Sequence, residues 1–423
     1  MPPDAKLPAA RAPLKPLDAA LAELLAHATP LPGVESVSTF DADGRVLAQD
    51  LTASLDVPAH DNSSMDGYAL RCADWLDAST QLLVNQRIPA GSSGVALAAN
   101  SAARIFTGAP IPQGADAVVM QEECTVLDAT SGPMPMVPTV HIQVQPRPGQ
   151  WIRRRGEDVA SGDVVLGRGA RLTPASLGLA ASIGFASVSV APKVRVALFS
   201  TGDELVMPGD VAPGDMKPGA IYNSNRFFLR TLLLRLGCTV TDMGIVPDRL
   251  DATVAALQIA SQAHDLILTS GGVSVGEEDH IKPAVQALGK LNLWQIAIKP
   301  GKPFAYGKIS AAHFIGLPGN PVSSFVTFLL LVRPFILKLQ GANSVAPEST
   351  AHHAHFDWLK ADKRREFLRV KQNAVGGLDL FNNQSSGVLT SAVWGDGLVD
   401  NPAGQTIAYG DVVRYIPFAS LMS

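Results

Sequence analysis

Apolar and polar positions alternate with two different periods along this chain, and the clearest alternation lies between Lys193 and Gly341. Val194–Ser200 is a buried-type apolar run, and Cys238–Val246, Asp265–Ser270 and Leu293–Ile298 read as further strands. Between them, Asn223–Leu236, Leu250–Ala263 and His280–Leu288 show the three-to-four-residue spacing of amphipathic helices. Strands that alternate with helices imply right-handed crossovers and a mostly parallel sheet covered on both faces. Ligands of such sheets bind beyond the carboxyl ends of the strands, so the loops that follow strands are the first places to seek chemistry.

The flanking segments differ. Residues 1–16 are Pro/Ala-rich, and Leu17–His27 has helical spacing and strong helix formers. From about residue 50 to 158 short β-like runs (Leu82–Asn85, Ile88–Pro89, Ala102–Thr107, Ala117–Gln121, Val140–Val144) are punctuated by Gly and Pro, and Ser131–Pro138 reads as a surface loop. Thr173–Ile183 returns to helix, with Thr173 as N-cap and Pro174 at the first helical position. Residues 342–423 carry short strands (Glu366–Lys371, Leu378–Phe381, Val412–Ile416) that suggest a small β-barrel or β-sandwich. The predicted fold class is multidomain α/β. The expected division is a discontinuous first domain from 1–50 and 159–190, a β-rich domain at 51–158, the α/β domain at 191–341 and a C-terminal domain at 342–423.

Composition narrows the reading. A chain of 423 residues with 47% hydrophobic and 17% charged residues is globular, with room for roughly two to four domains. A net charge of −4 argues against a nucleic-acid binder, so an anionic ligand must be met by local cations or backbone N–H groups. Cys72, Cys124 and Cys238 are scattered, which supports neither a disulfide framework nor a structural zinc site and fits a cytoplasmic location. The N-terminus lacks the apolar core of a signal peptide. Pro174–Pro192 is broken by Gly184, and Val326–Leu339 carries Arg333 and Pro334 and is shorter than a bilayer crossing, so no membrane segment is expected.

Several motifs combine turn chemistry with reactive side chains. In Asp61–Leu70, Asp66 precedes Gly67, where a carboxylate can project from a tight turn. Thr107 ends the run Arg104–Thr107 ahead of a Gly/Pro-rich loop. Arg153–Asp158 sets three arginines beside Glu157 and Asp158. Ser200–Leu205 follows a strand and supplies Asp203 and Glu204 as oxygen ligands. Ser270–Asp279 (SGGVSVGEED) also follows a strand: Ser270, Gly271, Gly272 and Ser274 allow close backbone approach, and Asp279 ends the loop where a Mg²⁺ bridging phosphates would sit. It is neither a Walker A sequence nor GxGxxG. Lys299 and Lys302 share the rigid turn KPGKP, and an anion would relieve their mutual repulsion. In Leu317–Pro321, Asn320 is an N-cap candidate and the N–H groups of Val322, Ser323 and Ser324 would form an oxyanion site. His352, His353 and His355 lie in a polar stretch with no partner ligands nearby in sequence, so a structural or solvent-exposed role is expected.

The order of these motifs is more telling than any one of them. MDGYA, FTGAPIPQGADAVVMQE, RRRGED, FSTGDEL, SGGVSVGEED, KPGKP and GLPGNP together resemble the molybdopterin molybdenumtransferase family, called MoeA in bacteria and including the C-terminal domain of gephyrin. The likeness runs from about residue 17 to 420. It implies a linker domain, a β-rich domain, an α/β molybdopterin-binding domain and a C-terminal β-barrel. It implies an elongated homodimer whose cleft combines the α/β and C-terminal domains of one subunit with the β-rich domain of the other. The implied reaction inserts molybdate into adenylyl-molybdopterin with Mg²⁺ and releases AMP. By the same resemblance, Asp66, Thr107, Asp158, Glu204, Asp248 and Asp279 match functional positions, with Glu204 and Asp279 as metal ligands. Lys299, Arg369 and Ser386 match anion-holding positions, and Pro318 and Pro321 match prolines at the cleft. A molybdopterin adenylyltransferase and molybdoenzyme apoproteins would be its partners. The sequence departs from the pattern at Gln295, where the family often has Lys, and at Ser385, where it commonly has Gly. The competing readings are an adenylyltransferase built on the same α/β domain type and a non-enzymatic cofactor-handover scaffold.

Overall fold

The computed structural model describes residues 13–127, 138–272 and 280–422. At its centre is a six-stranded sheet in the order Thr239–Val246, Arg195–Thr201, Leu266–Ser270, Ala312–Leu317, Pro303–Ile309, Gly289–Gln295. The first four strands are parallel and the last two join antiparallel. Alternate residues of the Arg195–Thr201 strand serve opposite faces, as the period of a strand requires. Val196 and Leu198 pack with Leu229, Leu232 and Leu233 of the helix Asn225–Arg235, whereas Ala197 and Phe199 pack with Leu257, Ala260, Ile281 and Val285 of the helices Leu250–Ala263 and Ile281–Leu288. Both faces are thereby covered.

Two features of this domain differ from the sequence reading. The expected strand Leu293–Ile298 is split: Gly289–Gln295 stays in the central sheet, while Ile298–Lys299 leaves it and pairs in parallel with Arg365–Glu366. The hairpin Pro303–Ile309/Ala312–Leu317 was not foreseen, because its turn at Ser310, with φ +54°, carries no Gly, Asn or Pro to mark it.

The apolar run after Pro321 is one helical rod interrupted by a π-helical turn. Pro321–Thr327 and Arg333–Leu339 are α-helical and Phe328–Val332 is π. Pro334 has no N–H to return to the preceding turn, which accounts for the widened spacing just before it. The rod spans 19 residues and by length could cross a membrane, contrary to the shorter run read from sequence, yet nearly all of it is buried inside the protein. It is the core helix of the α/β domain.

Around this centre, Glu35–Ser38 pairs antiparallel with Ser187–Val190, and Leu51–Thr52 with Val164–Leu166, so the segments on either side of the β-rich part meet. The helix Pro174–Ser182 is capped by Thr173, whose hydroxyl accepts from the Ser176 N–H at 3.2 Å. The β-rich part is a six-stranded sheet in the order Ala117–Met120, Gly67–Leu70, Ser101–Ile105, Gln81–Ile88, Thr139–Ile142, Cys124–Leu127. The C-terminal strands Thr350–Ala354, Arg365–Gln372, Gly377–Leu380, Gly397–Asn401 and Val412–Pro417 close into a barrel through the pairing of Arg365–Gln372 with Gly397–Asn401. This resolves the barrel-or-sandwich alternative. His353 lies in this barrel with Nδ1 3.0 Å from the Gly410 carbonyl, and His355 stacks on Tyr409.

Candidate functional site

A cleft of about 600 Å³ opens where the strands Arg195–Thr201, Leu266–Ser270 and Ala312–Leu317 end. Thr201, Glu204, Asn225, Ser270, Gly271, Pro318, Pro321 and Gly387 are among its walls. Every loop in that set leaves the carboxyl end of a parallel strand except the segment Ile221–Asn225 and Gly387, which comes from the C-terminal domain. The glycines are demanded by geometry. Gly271 has φ +96° and a Cβ there would stand 2.9 Å from the Thr201 carbonyl oxygen, while Gly202, at φ +141°, lies under the folded-back Glu204 carboxylate.

The sequence candidates distribute themselves unevenly. Glu204, Ser270, Gly271, Pro318 and Pro321 line the cleft. Gly272 follows at φ +66°, and Ser274 and Asp279 lie outside the described residues. Asp248 is beside the neighbouring loop, its N–H donating to Asp203 Oδ1 at 3.2 Å. Asp66, Thr107 and Asp158 do not line the cleft in this chain. Asp66 accepts from both the N–H and the hydroxyl of Thr107 at 2.8 Å, and those bonds, with Arg104 nearby, hold its carboxyl below the usual range. Gly67 is part of a strand rather than of a tight turn, and a Cβ there would collide with the Val119 carbonyl. The run Arg153–Asp158 is tied into its surroundings: Arg154 donates to Asp61 at 2.7 Å, Arg155 pairs with Asp56, and Asp158 stays exposed.

The cations are placed where the α/β domain meets the barrel. Lys299 Nζ donates to the buried Glu366 at 2.9 Å, lies 3.5 Å from Asp362 and 5.7 Å from the centroid of Trp358. Arg364 holds Asp362 well below the usual carboxylate range. Lys302 lies on the same turn, partly exposed, its carbonyl accepting from the Ile296 N–H. Arg369 is 1% exposed; its guanidinium donates to the Ser391 hydroxyl and to the carbonyls of Phe367 and Ser385, all of them uncharged. Burial pulls its pKa down to about 10.

The helix that starts at Pro321 is less open than its sequence implied. The Val322 N–H donates to the Ser386 carbonyl at 3.0 Å, and the Ser324 N–H turns back to the Asn320 carbonyl. The Asn320 side chain makes no capping bond. The helix start is therefore the seam on which the Ser386–Gly387 loop is fastened, and most of its N–H groups are spent. Sequence reasoning also missed Asn223 and Asn225. Their segment follows no strand of the central sheet, so they read only as the start of a helix.

These features define a class: a multidomain α/β protein whose ligand cleft sits at the carboxyl rim of a parallel sheet and is closed on one side by a C-terminal barrel. Residues 15–184 match the MoeA N-terminal region (domains I and II), 197–338 a probable molybdopterin-binding domain, and 352–418 the MoeA C-terminal region (domain IV). A molybdopterin molybdenumtransferase of Haemophilus influenzae is 44% identical over 337 residues, covering 79% of this chain and 80% of that one. The enzyme of that name from Synechococcus elongatus is 36% identical over 404 residues, covering 92% and 95%. The crystal structure of a molybdopterin biosynthesis MoeA protein from Pyrococcus horikoshii superposes with a TM-score of 0.81 at 28% identity, covering 96% of this chain and all of that one. This chain belongs to the MoeA family of molybdopterin molybdenumtransferases.

Proposed function

We propose that this protein inserts molybdate into adenylyl-molybdopterin and releases AMP. The observation that carries the reading is the cleft itself: a carboxyl-rim pocket floored by Gly271 and walled by Pro318, Pro321 and the barrel's Gly387, in a chain whose relatives are named molybdopterin molybdenumtransferases. The glycine-lined floor lets a flat pterin and its phosphates approach the backbone, where N–H groups serve as donors. At the barrel side Lys299 offers a point charge to an oxyanion, whereas the Arg369 guanidinium is buried and donates to Ser391, Phe367 and Ser385, and neither residue is among the described cleft walls. Asp362 and Glu366 fix the position of the Lys299 ammonium group.

Mg²⁺ is part of the proposal. Among the described residues no group of three or more His, Cys, Asp or Glu could hold a metal, and Glu204 is the one carboxylate in the described lining. That donor set fits an ion carried mainly by substrate phosphates, which takes one or two protein carboxylates. When bound it would offset the charge on the phosphates and favour departure of AMP. Glu204 would hold it, with Asp279 as the second candidate from the sequence. We propose further that the protein acts in the cytoplasm as a homodimer in which the β-rich part of one copy, with Asp66, Thr107 and Asp158, completes the cleft of the other. A molybdopterin adenylyltransferase would supply its substrate and molybdoenzyme apoproteins would receive its product.

The test is to incubate the purified protein with adenylyl-molybdopterin and molybdate and, separately, with molybdopterin and ATP. Molybdate-dependent AMP release in the first mixture is the expected result. Adenylylation in the second mixture alone would assign the protein to the preceding step, and no turnover in either would leave a scaffold.

A further inference from the structure

We propose that Asn225 is a positioning residue of this cleft, one that locks two of its loops together, an inference that rests on the cleft being the adenylyl-molybdopterin site. Asn225 is 8% exposed and stands at the start of the helix Asn225–Arg235. Its Nδ2 donates to Ser270 Oγ at 2.7 Å and to the Gly319 carbonyl at 2.7 Å. The carbonyl can only accept, so the orientation of the carboxamide is fixed. The two partners belong to different loops, one after the strand Leu266–Ser270 and one after Ala312–Leu317. Those loops touch through their backbones: a Cβ on Gly319 would lie 3.9 Å from Gly271 Cα, and one on Gly271 would press on Thr201. The loops are joined at their roots by the Gly271 N–H to the Leu317 carbonyl at 3.1 Å and by Ser270 Oγ at 3.5 Å from the Pro318 carbonyl, and the Asn225 fork extends that tie to Gly319. The other end of the carboxamide, Oδ1, is buried without a partner, as is Nδ2 of the neighbouring Asn223. The fork makes both bonds from a single rigid group, so the placement of Gly319 against Ser270, beyond the point where the strands stop pairing, depends on it.

Asn225→Asp keeps the shape and replaces the two-donor nitrogen with an oxygen facing the Gly319 carbonyl. Ser270→Ala removes one arm only and serves if the first variant does not fold. The expected result is a KM for adenylyl-molybdopterin raised about tenfold or more by Asn225→Asp and less by Ser270→Ala, with kcat changed by less than about threefold, together with faster amide exchange at Gly271. A fall in kcat that tracks the fraction unfolded, with KM unchanged, would overturn the proposal, as would unchanged kinetics. Should the wild-type protein itself release no AMP, the functional reading fails, while unaltered amide exchange at Gly271 in the variants would still refute the positioning role by itself.

Discussion

Glu366 is almost wholly buried, and it accepts from Lys299 Nζ at 2.9 Å and from Trp358 Nε1 at 2.7 Å. A Gln there keeps one acceptor oxygen and turns an amide NH2 toward the other donor. Breaking a fully buried pair costs about 3–5 kcal/mol, but Lys299 is about one-third exposed and Asp362 remains, so Glu366→Gln is expected to cost about 1–3 kcal/mol, read from urea denaturation. His313 offers a second test at this scale. Burial, then Lys308 and His27, push its pKa from 6.5 to about 4, against Asp265, and the Tyr306 hydroxyl lies 3.0 Å from its Nδ1. The folded state therefore keeps the ring neutral while the unfolded chain takes up a proton. The stability this contributes is complete above 6.5 and is lost as pH falls toward about 4. His313→Gln is expected to flatten the urea midpoint across that window, and an unchanged slope would show that another group titrates there.

Single elements show what could be read from the chain and what could not. Strands and helices with strong periodicity, such as Arg195–Thr201, Leu250–Ala263 and Leu266–Ser270, lie within a residue or two of where their patterns place them. The cap at Thr173 was also visible, because hydroxyl chemistry followed by proline is local. Thr173→Ala is expected to cost about 1 kcal/mol, measured by thermal unfolding. Pairings settled by distant partners were not legible. Ile298 and Lys299 look like the tail of one strand, yet they join the barrel because Arg365 and Glu366 offer them an open edge. Gly67 looks like turn punctuation, and only the nearness of Val119 shows why it must lack a side chain. At the cleft, the strand-end rule found Glu204, Ser270, Gly271 and Pro318. It passed over Asn223 and Asn225, whose place depends on how a helix start is folded back beneath two loops.

At the scale of the whole molecule, shared cores predict how it comes apart. Phe367, Leu398, Ile416 and Phe418 of the barrel belong to the same buried cluster as Val196, Leu229 and Phe335 of the α/β part. The β-rich part has clusters of its own, around Tyr68, Leu82 and Val119 on one face of its sheet and Ile88, Ile105 and Val118 on the other. Calorimetry is expected to resolve two transitions, one for the β-rich part and one for the joined α/β part and barrel. A ligand seated in the cleft should raise the second, and the first as well where the partner's β-rich part completes that cleft. A single transition would mean that the β-rich part is coupled more tightly than its separate cores imply.

The short parallel ladder between Ile298–Lys299 and Arg365–Glu366 has a mechanical consequence. The barrel cannot swing away from the sheet without unzipping peptide groups, and the Ser386 carbonyl is pinned to the rod at Val322 besides. The mouth between them behaves as a fixed-jaw gauge rather than a hinge. Its gape is expected to stay the same whether or not a guest is present, so that thickness rather than closure would select what enters.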